Sequence, residues 1–115
     1  MAARNRGMIK GEIWTTTIPL IGGHEQHGVR PVLIIANTSS PMAMVVPFTS
    51  NTRALRLPHT VQIKPSDKNG LTQPTIALVL QLRALDKKRL IEKLGILESQ
   101  PMTSVIDTLR AMLQI

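Results

Sequence analysis

Apolar residues occur along this chain in short runs, each closed by glycine, proline or small polar residues. Runs of four to ten residues that are rich in β-branched side chains are typical of strands. The run Leu90–Leu97 is compatible with either a strand or a helix, because its apolar positions follow neither period clearly. The predicted strands are Ile9–Ile18, Val29–Ala36, Met42–Phe48, Val61–Lys64 and Ile76–Leu82.

The last seventeen residues show a different period, with apolar side chains three and four positions apart. This spacing predicts a C-terminal helix with Ser99 as its N-cap and Pro101 in its first turn. Shorter signals predict a turn at Asp67–Gly70 and a helical turn at Asp86–Arg89. The residues of the predicted apolar helix face are Met102, Val105, Ile106, Leu109 and Leu113.

The connections between the predicted strands are too short to hold crossover helices, so a parallel sheet is excluded. We therefore expect a small, mainly antiparallel sheet that closes into a barrel and is capped by the C-terminal helix. The chain of 115 residues carries no linker or repeat, which predicts a single domain over residues 1–115.

Lysine and arginine number 14 against 7 acidic residues, so the formal net charge is +7. A basic globular chain favours a polyanionic partner: a nucleic acid, an anionic membrane or an acidic protein. Trp14 and Phe48 are the only aromatic residues, which disfavours RNA-binding domains that stack bases on several aromatic rings. The apolar runs are too short for a membrane span, so we expect a cytoplasmic protein without a membrane partner.

Several classes of catalytic site are excluded by the residue inventory. Cysteine is absent, and the seven carboxylates are scattered without a pair or a histidine at ligand spacing. A two-metal nuclease needs such a cluster, so we expect no metal and no cofactor. A phosphate-binding P-loop is also missing.

Candidate chemistry is concentrated around the loop Pro19–Gly28 and the two strands that follow it. His24 and His27 flank Glu25 in the loop, where they are either solvated residues or groups that contact substrate and transfer protons. Arg30 follows the loop, and a guanidinium is well suited to bind phosphate. Thr49 adds a hydroxyl beside Arg30 if the second and third strands pair, and Ser50 adds another.

These residues stand in strings that resemble the MazF/PemK (Kid) family of toxin–antitoxin ribonucleases. The resemblance covers nearly the whole chain in the same order, and its most specific part is the loop with the following Arg30-Pro31. The matching strings are Gly11-Glu12-Ile13-Trp14, Gly23-His24-Glu25-Gln26, Gly28 to Ile35, Val45 to Ser50, Gly70-Leu71, Gln81 to Leu90 and Leu94 to Leu97.

The resemblance implies an SH3-like antiparallel β-barrel with a C-terminal α-helix, and a homodimer that cuts single-stranded RNA without a metal. One branch of the family also uses an arginine and an aspartate at positions that are Leu78 and Leu80 here, so that part of its chemistry is not carried over. The resemblance and the local pattern together predict Arg30, Thr49 and Glu25 as catalytic residues and His24, Gln26, His27, Ser50 and Gln81 as substrate contacts.

The same resemblance implies partners. An acidic antitoxin with a disordered segment would neutralise the toxin, and the complex of the two would bind promoter DNA. Two other functions remain open at this point: a CcdB-like topoisomerase poison that acts by protein–protein contact, and a non-catalytic SH3-like binding module.

Overall fold

Seven strands and one α-helix make up the part of the chain that this computed structural model describes, residues 7–17 and 28–115. Short 3₁₀ helices at Thr52–Arg56, Val79–Gln81 and Lys87–Arg89 join some of the strands. The elements are β1 (Glu12–Thr16), β2 (Arg30–Asn37), β3 (Met42–Thr49), β4 (Thr60–Ile63), β5 (Thr75–Leu78), β6 (Arg83–Asp86), β7 (Leu90–Ile96) and α1 (Ser99–Leu113).

All strand pairs in the described residues are antiparallel, in the order β4-β5-β3-β2-β1-β7, with β6 also paired to β3. The predicted class, mainly β with a C-terminal helix, is confirmed. The closed barrel is wrong, because β4 and β7 end the order and do not pair with each other in the described residues. Helix α1 places Val105 and Leu109 in the same core cluster as Ile63 of β4 and Ile13 of β1. The helix therefore buries apolar surface that closure of the sheet would otherwise have to cover.

Strand β2 is buried on both faces, which explains its unbroken apolar sequence. Leu33 faces a core cluster that includes Phe48 and the residues of α1. Its neighbours Val32 and Ile34 face a second cluster with Trp14. Successive side chains of a strand point to opposite faces, so a strand between two cores loses the alternation of polar and apolar residues.

The predicted elements differ from the structure mainly at their ends. The fifth predicted strand, Ile76–Leu82, is divided into β5 and the 3₁₀ helix Val79–Gln81, where the chain turns before β6. The segment Leu90–Leu97, for which the sequence allowed a strand or a helix, forms the strand Leu90–Ile96. The helical turn at Asp86–Arg89 is confirmed, since the Asp86 side chain accepts from the backbone N–H of Lys88 (2.9 Å).

Helix α1 is confirmed, but its N-cap is Glu98 and not Ser99. Glu98 has extended backbone angles and no side-chain bond to the helix, because its carboxylate binds a neighbouring turn instead. In the part of the chain that the structure describes, no helix is long and apolar enough to cross a membrane.

A buried carboxylate fixes the start of β1 to β7. Glu12 is 4% exposed and accepts from the Trp14 indole N–H (2.9 Å) and from the backbone N–H of Ile9 (3.2 Å), and it pairs with Lys93 (3.0 Å). Burial by itself raises the pKa of Glu12, but these hydrogen bonds and the ammonium outweigh it, so the pKa is lowered from its ordinary value. Glu12 is thus an ionised structural residue.

Candidate active site

Arg30 and Thr49 lie at the same edge of the sheet because β2 begins where its antiparallel neighbour β3 ends. The pairing of Val32 with Pro47 sets the register that leads to this edge. Both side chains line a cavity of about 300 Å³, which also includes the exposed Ser50. A guanidinium and two hydroxyl groups therefore converge on one cavity, a donor set suited to the oxygens of a phosphate.

The Thr49 hydroxyl is oriented by the turn that follows β3. Its oxygen accepts from the backbone N–H of Asn51 (3.1 Å), and the Asn51 side chain in turn accepts from the backbone N–H of Arg53 (2.9 Å), where it caps a 3₁₀ helix. A hydroxyl that accepts one bond still has its proton to donate. Thr49 is half-buried, so this proton is available to a group bound in the cavity.

Arg30 is half-buried and pairs with Thr16 of β1, which also pairs with Leu90 of β7. The Thr16 hydroxyl donates to the backbone oxygen of Arg89 (2.7 Å). The exposed Lys88 and Arg89 belong to the 3₁₀ helix that leads into Leu90, so they lie at the same edge of the sheet as Arg30, two strands away. Three positively charged side chains therefore lie along this edge.

The opposite wall of the cavity is the segment from Gly70 to Gln73, which is pressed against β7. Gly70 has φ +74°, and a Cβ atom there would lie 2.1 Å from the backbone oxygen of Leu94. Only glycine satisfies both the left-handed conformation and the close approach. This single residue lets the segment reach β7 and stand across the cavity from Arg30.

A fully buried asparagine holds the turn before this wall. The Asn69 side chain accepts from the backbone N–H groups of Ser66 (3.0 Å) and Leu71 (2.9 Å), and it donates to the Lys64 backbone oxygen (2.9 Å) and to Glu98 (3.1 Å). The Ser66 hydroxyl donates to the other oxygen of Glu98 (2.5 Å). The bond from Ser66, with further bonds that include Asn69, lowers the pKa of Glu98. Helix α1 and the cavity wall are thereby joined.

The sequence of the chain that forms this cavity matches a known protein family. The sequence model of the PemK-like, MazF-like toxins of type II toxin–antitoxin systems matches residues 9–113. The chain belongs to this family.

Curated relatives and solved structures agree with that assignment. The chain is 36% identical over 104 residues to Endoribonuclease MazF of Staphylococcus epidermidis, covering 87% of this chain and 86% of the relative. It is 32% identical over 105 residues to Endoribonuclease EndoA of Bacillus subtilis (strain 168), covering 88% and 90%. The fold is similar to a crystal structure of MazF from Deinococcus radiodurans, with TM-score 0.73, 24% identity and coverage of 94% and 97%. It is also similar to a MazE–MazF structure from that organism, with TM-score 0.70, 21% identity and coverage of 94% and 96%.

Of the other residues predicted for this site, only Gln81 is among those that the structure describes. His24, Glu25, Gln26 and His27 lie outside the described residues, in the segment that joins β1 to β2. Gln81 is half-buried in a 3₁₀ helix and is not among the residues that line the cavity.

The two leucines at which this chain departs from one branch of the family have different environments. Leu78 packs with Ala54 and Ile76 in a small apolar cluster, whereas Leu80 is 52% exposed. Neither residue lines the cavity. Within residues 7–17 and 28–115, no group of three or more histidine or acidic side chains is placed to hold a metal ion.

Sequence reasoning did not select Thr72 and Gln73, which line the cavity across from Arg30 and Thr49. The only local signal was the preceding Gly70-Leu71, because a glycine at the end of a turn marks a conformation that other residues avoid. Nothing in the polar string after it indicates which side chains face a cavity.

Proposed function

We propose that this protein is a toxin that cuts single-stranded RNA, with Arg30 and Thr49 as catalytic residues and Ser50 as a phosphate contact. The observation that carries the proposal is the convergence of these three side chains on one cavity, in a chain 36% and 32% identical to two curated endoribonucleases. The alternatives, a topoisomerase poison and a non-catalytic module, have no such support.

The reaction begins with attack of the RNA 2′-hydroxyl oxygen on the adjacent phosphorus. The 2′-oxygen forms a bond to phosphorus as the bond from phosphorus to the 5′-oxygen of the next nucleotide breaks. The products are a 2′,3′-cyclic phosphate and a free 5′-hydroxyl, after one proton leaves the 2′-oxygen and one reaches the 5′-oxygen. The nucleophile is part of the substrate and already positioned, so the scheme requires neither a metal nor a protein nucleophile.

The protein supplies donors for the charge that grows on the phosphate oxygens. Arg30 offers a charged fork of N–H groups, and the Thr49 hydroxyl donates a hydrogen bond to a non-bridging oxygen. Ser50 lies next to Thr49 and contacts the same phosphate. An arginine is a poor base at its ordinary pKa, so Glu25 or one of the loop histidines, His24 or His27, is proposed as the proton acceptor. His24, Gln26, His27 and Gln81 are proposed to contact the rest of the RNA.

The proposed protein partner is an acidic antitoxin. Support comes from the family, which consists of toxins of type II toxin–antitoxin systems, and from a net charge of +7 that favours an acidic, disordered segment over the RNA site. Promoter DNA is a partner only of the toxin–antitoxin complex. No part of the described chain is assigned to DNA.

We also propose a homodimer. Leu57 and Leu80 are 47% and 52% exposed. Leu57 precedes β4 and Leu80 follows β5, so both lie at the same end of this strand pair, where the Val79 N–H donates to the His59 backbone oxygen (3.0 Å). Exposed leucines grouped at one end of a strand pair are typical of a surface that is covered by a partner.

Cleavage of a single-stranded RNA in the presence of EDTA tests the function. We expect cleavage by the wild type and none by Arg30→Ala, with Arg110→Ala on the exposed face of α1 as the control of equal charge. One 2′-deoxynucleotide on the 5′ side of the cut should abolish cleavage but leave binding nearly unchanged, because phosphate contacts supply most of the affinity. A 5′-phosphate on the downstream product would mean that water is the nucleophile, and the proposed mechanism would then be wrong.

A further inference from the structure

The cavity continues past Arg30 and Thr49 to the wall formed by Leu71, Thr72 and Gln73. We infer that it holds one of the two nucleobases that flank the cleaved phosphate, and that the Gln73 side-chain amide reads this base. The inference rests on the proposed cleavage of RNA, because the position of the phosphate at Arg30 defines which base is near.

The size and lining of the cavity suit a single base. Its volume of about 300 Å³ is at the lower end of the range for small-molecule sites and is sufficient for one base beside the phosphate. Pro31, Leu71 and Leu94 provide apolar contact surface in the lining. Thr72 and Gln73 are exposed residues of the same lining and supply the polar groups.

The phenylalanine and tryptophan rings of this chain offer almost no exposed surface on which a base could stack. Its only Phe, Trp or Tyr residues are Trp14 and Phe48, which are 7% and 1% exposed. The Trp14 indole N–H is also bonded to Glu12 (2.9 Å). Discrimination between bases must then come from hydrogen bonds to the base edge, since apolar contacts with aliphatic side chains distinguish the four bases poorly.

Gln73 has the chemistry that edge recognition needs. A side-chain amide carries both a donor and an acceptor in one plane, and it can pair with two adjacent groups of a base edge. The backbone oxygen of Gln73 accepts from the Thr75 hydroxyl (2.9 Å), which fixes the main chain of this exposed residue of the cavity lining. Arg30, Thr49 and Ser50 are assigned to the phosphate, so Gln73 and Thr72 are the polar side chains of the exposed lining that remain for the base.

The wall that carries Gln73 is held in place before RNA binds. Gly70 lies in contact with the backbone of Leu94, and the buried Asn69 side chain makes four hydrogen bonds, which link it to the turn, to the Leu71 N–H in the wall and to Glu98. A group fixed by its supports discriminates between ligands better than one on a loop that must first be ordered.

The test compares base preference in Gln73→Ala with that in Gln62→Ala, an exposed glutamine on β4 away from the cavity. Both variants and the wild type are incubated with RNAs that carry each base in turn on either side of the preferred cut. We expect Gln73→Ala to lower kcat/KM for the preferred base at one of these positions by about 10-fold to 100-fold, the value of a bidentate contact. Preferences at the other positions, and those of Gln62→Ala, should stay unchanged.

An abasic nucleotide separates base reading from a structural role of Gln73. On RNA that lacks the base at the affected position, the wild type and Gln73→Ala should cut at equal rates. An unchanged preference, or the same loss on the abasic RNA, would overturn the inference.

Binding of the 2′-deoxy-substituted RNAs provides the same comparison without cleavage. If the wild type binds these RNAs with a base preference that Gln73→Ala abolishes, base reading stands even where no RNA is cut, and only the proposed nuclease activity fails. Equal affinity of both proteins for all four bases would contradict the base-reading role.

Discussion

At the scale of single residues, the roles proposed for Arg30 and Thr49 differ in the step at which each contact with the phosphate matters. In the proposed mechanism the Arg30 guanidinium attracts the phosphate of the bound RNA as well as the charge that develops during reaction, so its loss would affect both affinity and rate. The Thr49 hydroxyl is neutral, and its orientation is set by the Asn51 N–H (3.1 Å). The hydrogen bond that it donates is strongest in the transition state, when the accepting phosphate oxygen becomes more negative.

Thr49→Val should therefore slow cleavage by about 10²-fold with little change in affinity for RNA. The measurement is single-turnover cleavage at saturating protein, together with binding of a 2′-deoxy-substituted RNA. Loss of the bond from the Asn51 N–H costs stability by about 1 kcal/mol, so thermal unfolding is followed in parallel.

The matched control is Thr103→Val, which removes a hydroxyl on α1 that donates to the Ser99 backbone oxygen (3.0 Å). Its cleavage rate should equal that of the wild type. A Thr49→Val protein that binds RNA weakly but cuts at the normal rate once saturated would contradict the assigned role.

At the scale of elements, the turn that holds the cavity wall depends on the start of α1. The Glu98 carboxylate accepts from Ser66 and Asn69, and its lowered pKa means that the folded protein favours the ionised form. A carboxyl whose pKa is lower in the folded state stabilises the fold above its unfolded pKa, about 4.3 for glutamate. This stability is lost as the pH falls through the folded pKa.

Glu98→Gln should accordingly lower the melting temperature by a few degrees at pH 7, and the difference from the wild type should shrink as the pH is lowered below about 4. Glu12 also has a lowered pKa, but it titrates alike in both proteins and cancels in the difference. Asp107→Asn removes the same charge at an exposed position of α1 and is measured in parallel as the control. A constant difference from pH 3 to pH 7 would disprove the role of the charge.

At the scale of the whole molecule, the excess of positive charge meets the proposed substrate at one edge of the sheet. Lys88 and Arg89 are exposed and are brought near Arg30 by the pairing of β2, β1 and β7. Lys87, in the same 3₁₀ helix as Lys88 and Arg89, is 6% exposed and donates to the Thr38 backbone oxygen (2.6 Å), so its role is structural. If RNA binds at Arg30 as proposed, we expect neighbouring phosphates to contact Lys88 and Arg89.

We expect RNA affinity to fall with salt concentration, and the slope of log K against log salt to decrease by about 0.7 for each phosphate contact removed. The double variant Lys88→Ala with Arg89→Ala should reduce this slope by about 1.4. A double variant of Lys68 and Arg110, exposed residues outside the cavity lining, removes the same charge and should change the slope much less. Equal changes in both would show that only net charge matters.

The sequence by itself determined the strands, the antiparallel class, the C-terminal helix and the approach of Arg30 to Thr49. These features follow from local patterns, because burial on two faces makes β2 continuously apolar and the period of α1 reflects one buried face. The edge shared by Arg30 and Thr49 follows from antiparallel pairing of consecutive strands.

Only the tertiary structure decided what depends on contacts between distant segments. It leaves β4 and β7 as the two end strands, not paired with each other in the described residues, and it ends β5 at Leu78. It assigns the helix cap to Glu98, whose carboxylate is used by a turn about thirty residues earlier. It brings Gln73 opposite Arg30 because Gly70 can touch the backbone of β7. Such contacts join residues far apart in the chain, so no window of the sequence contains both partners.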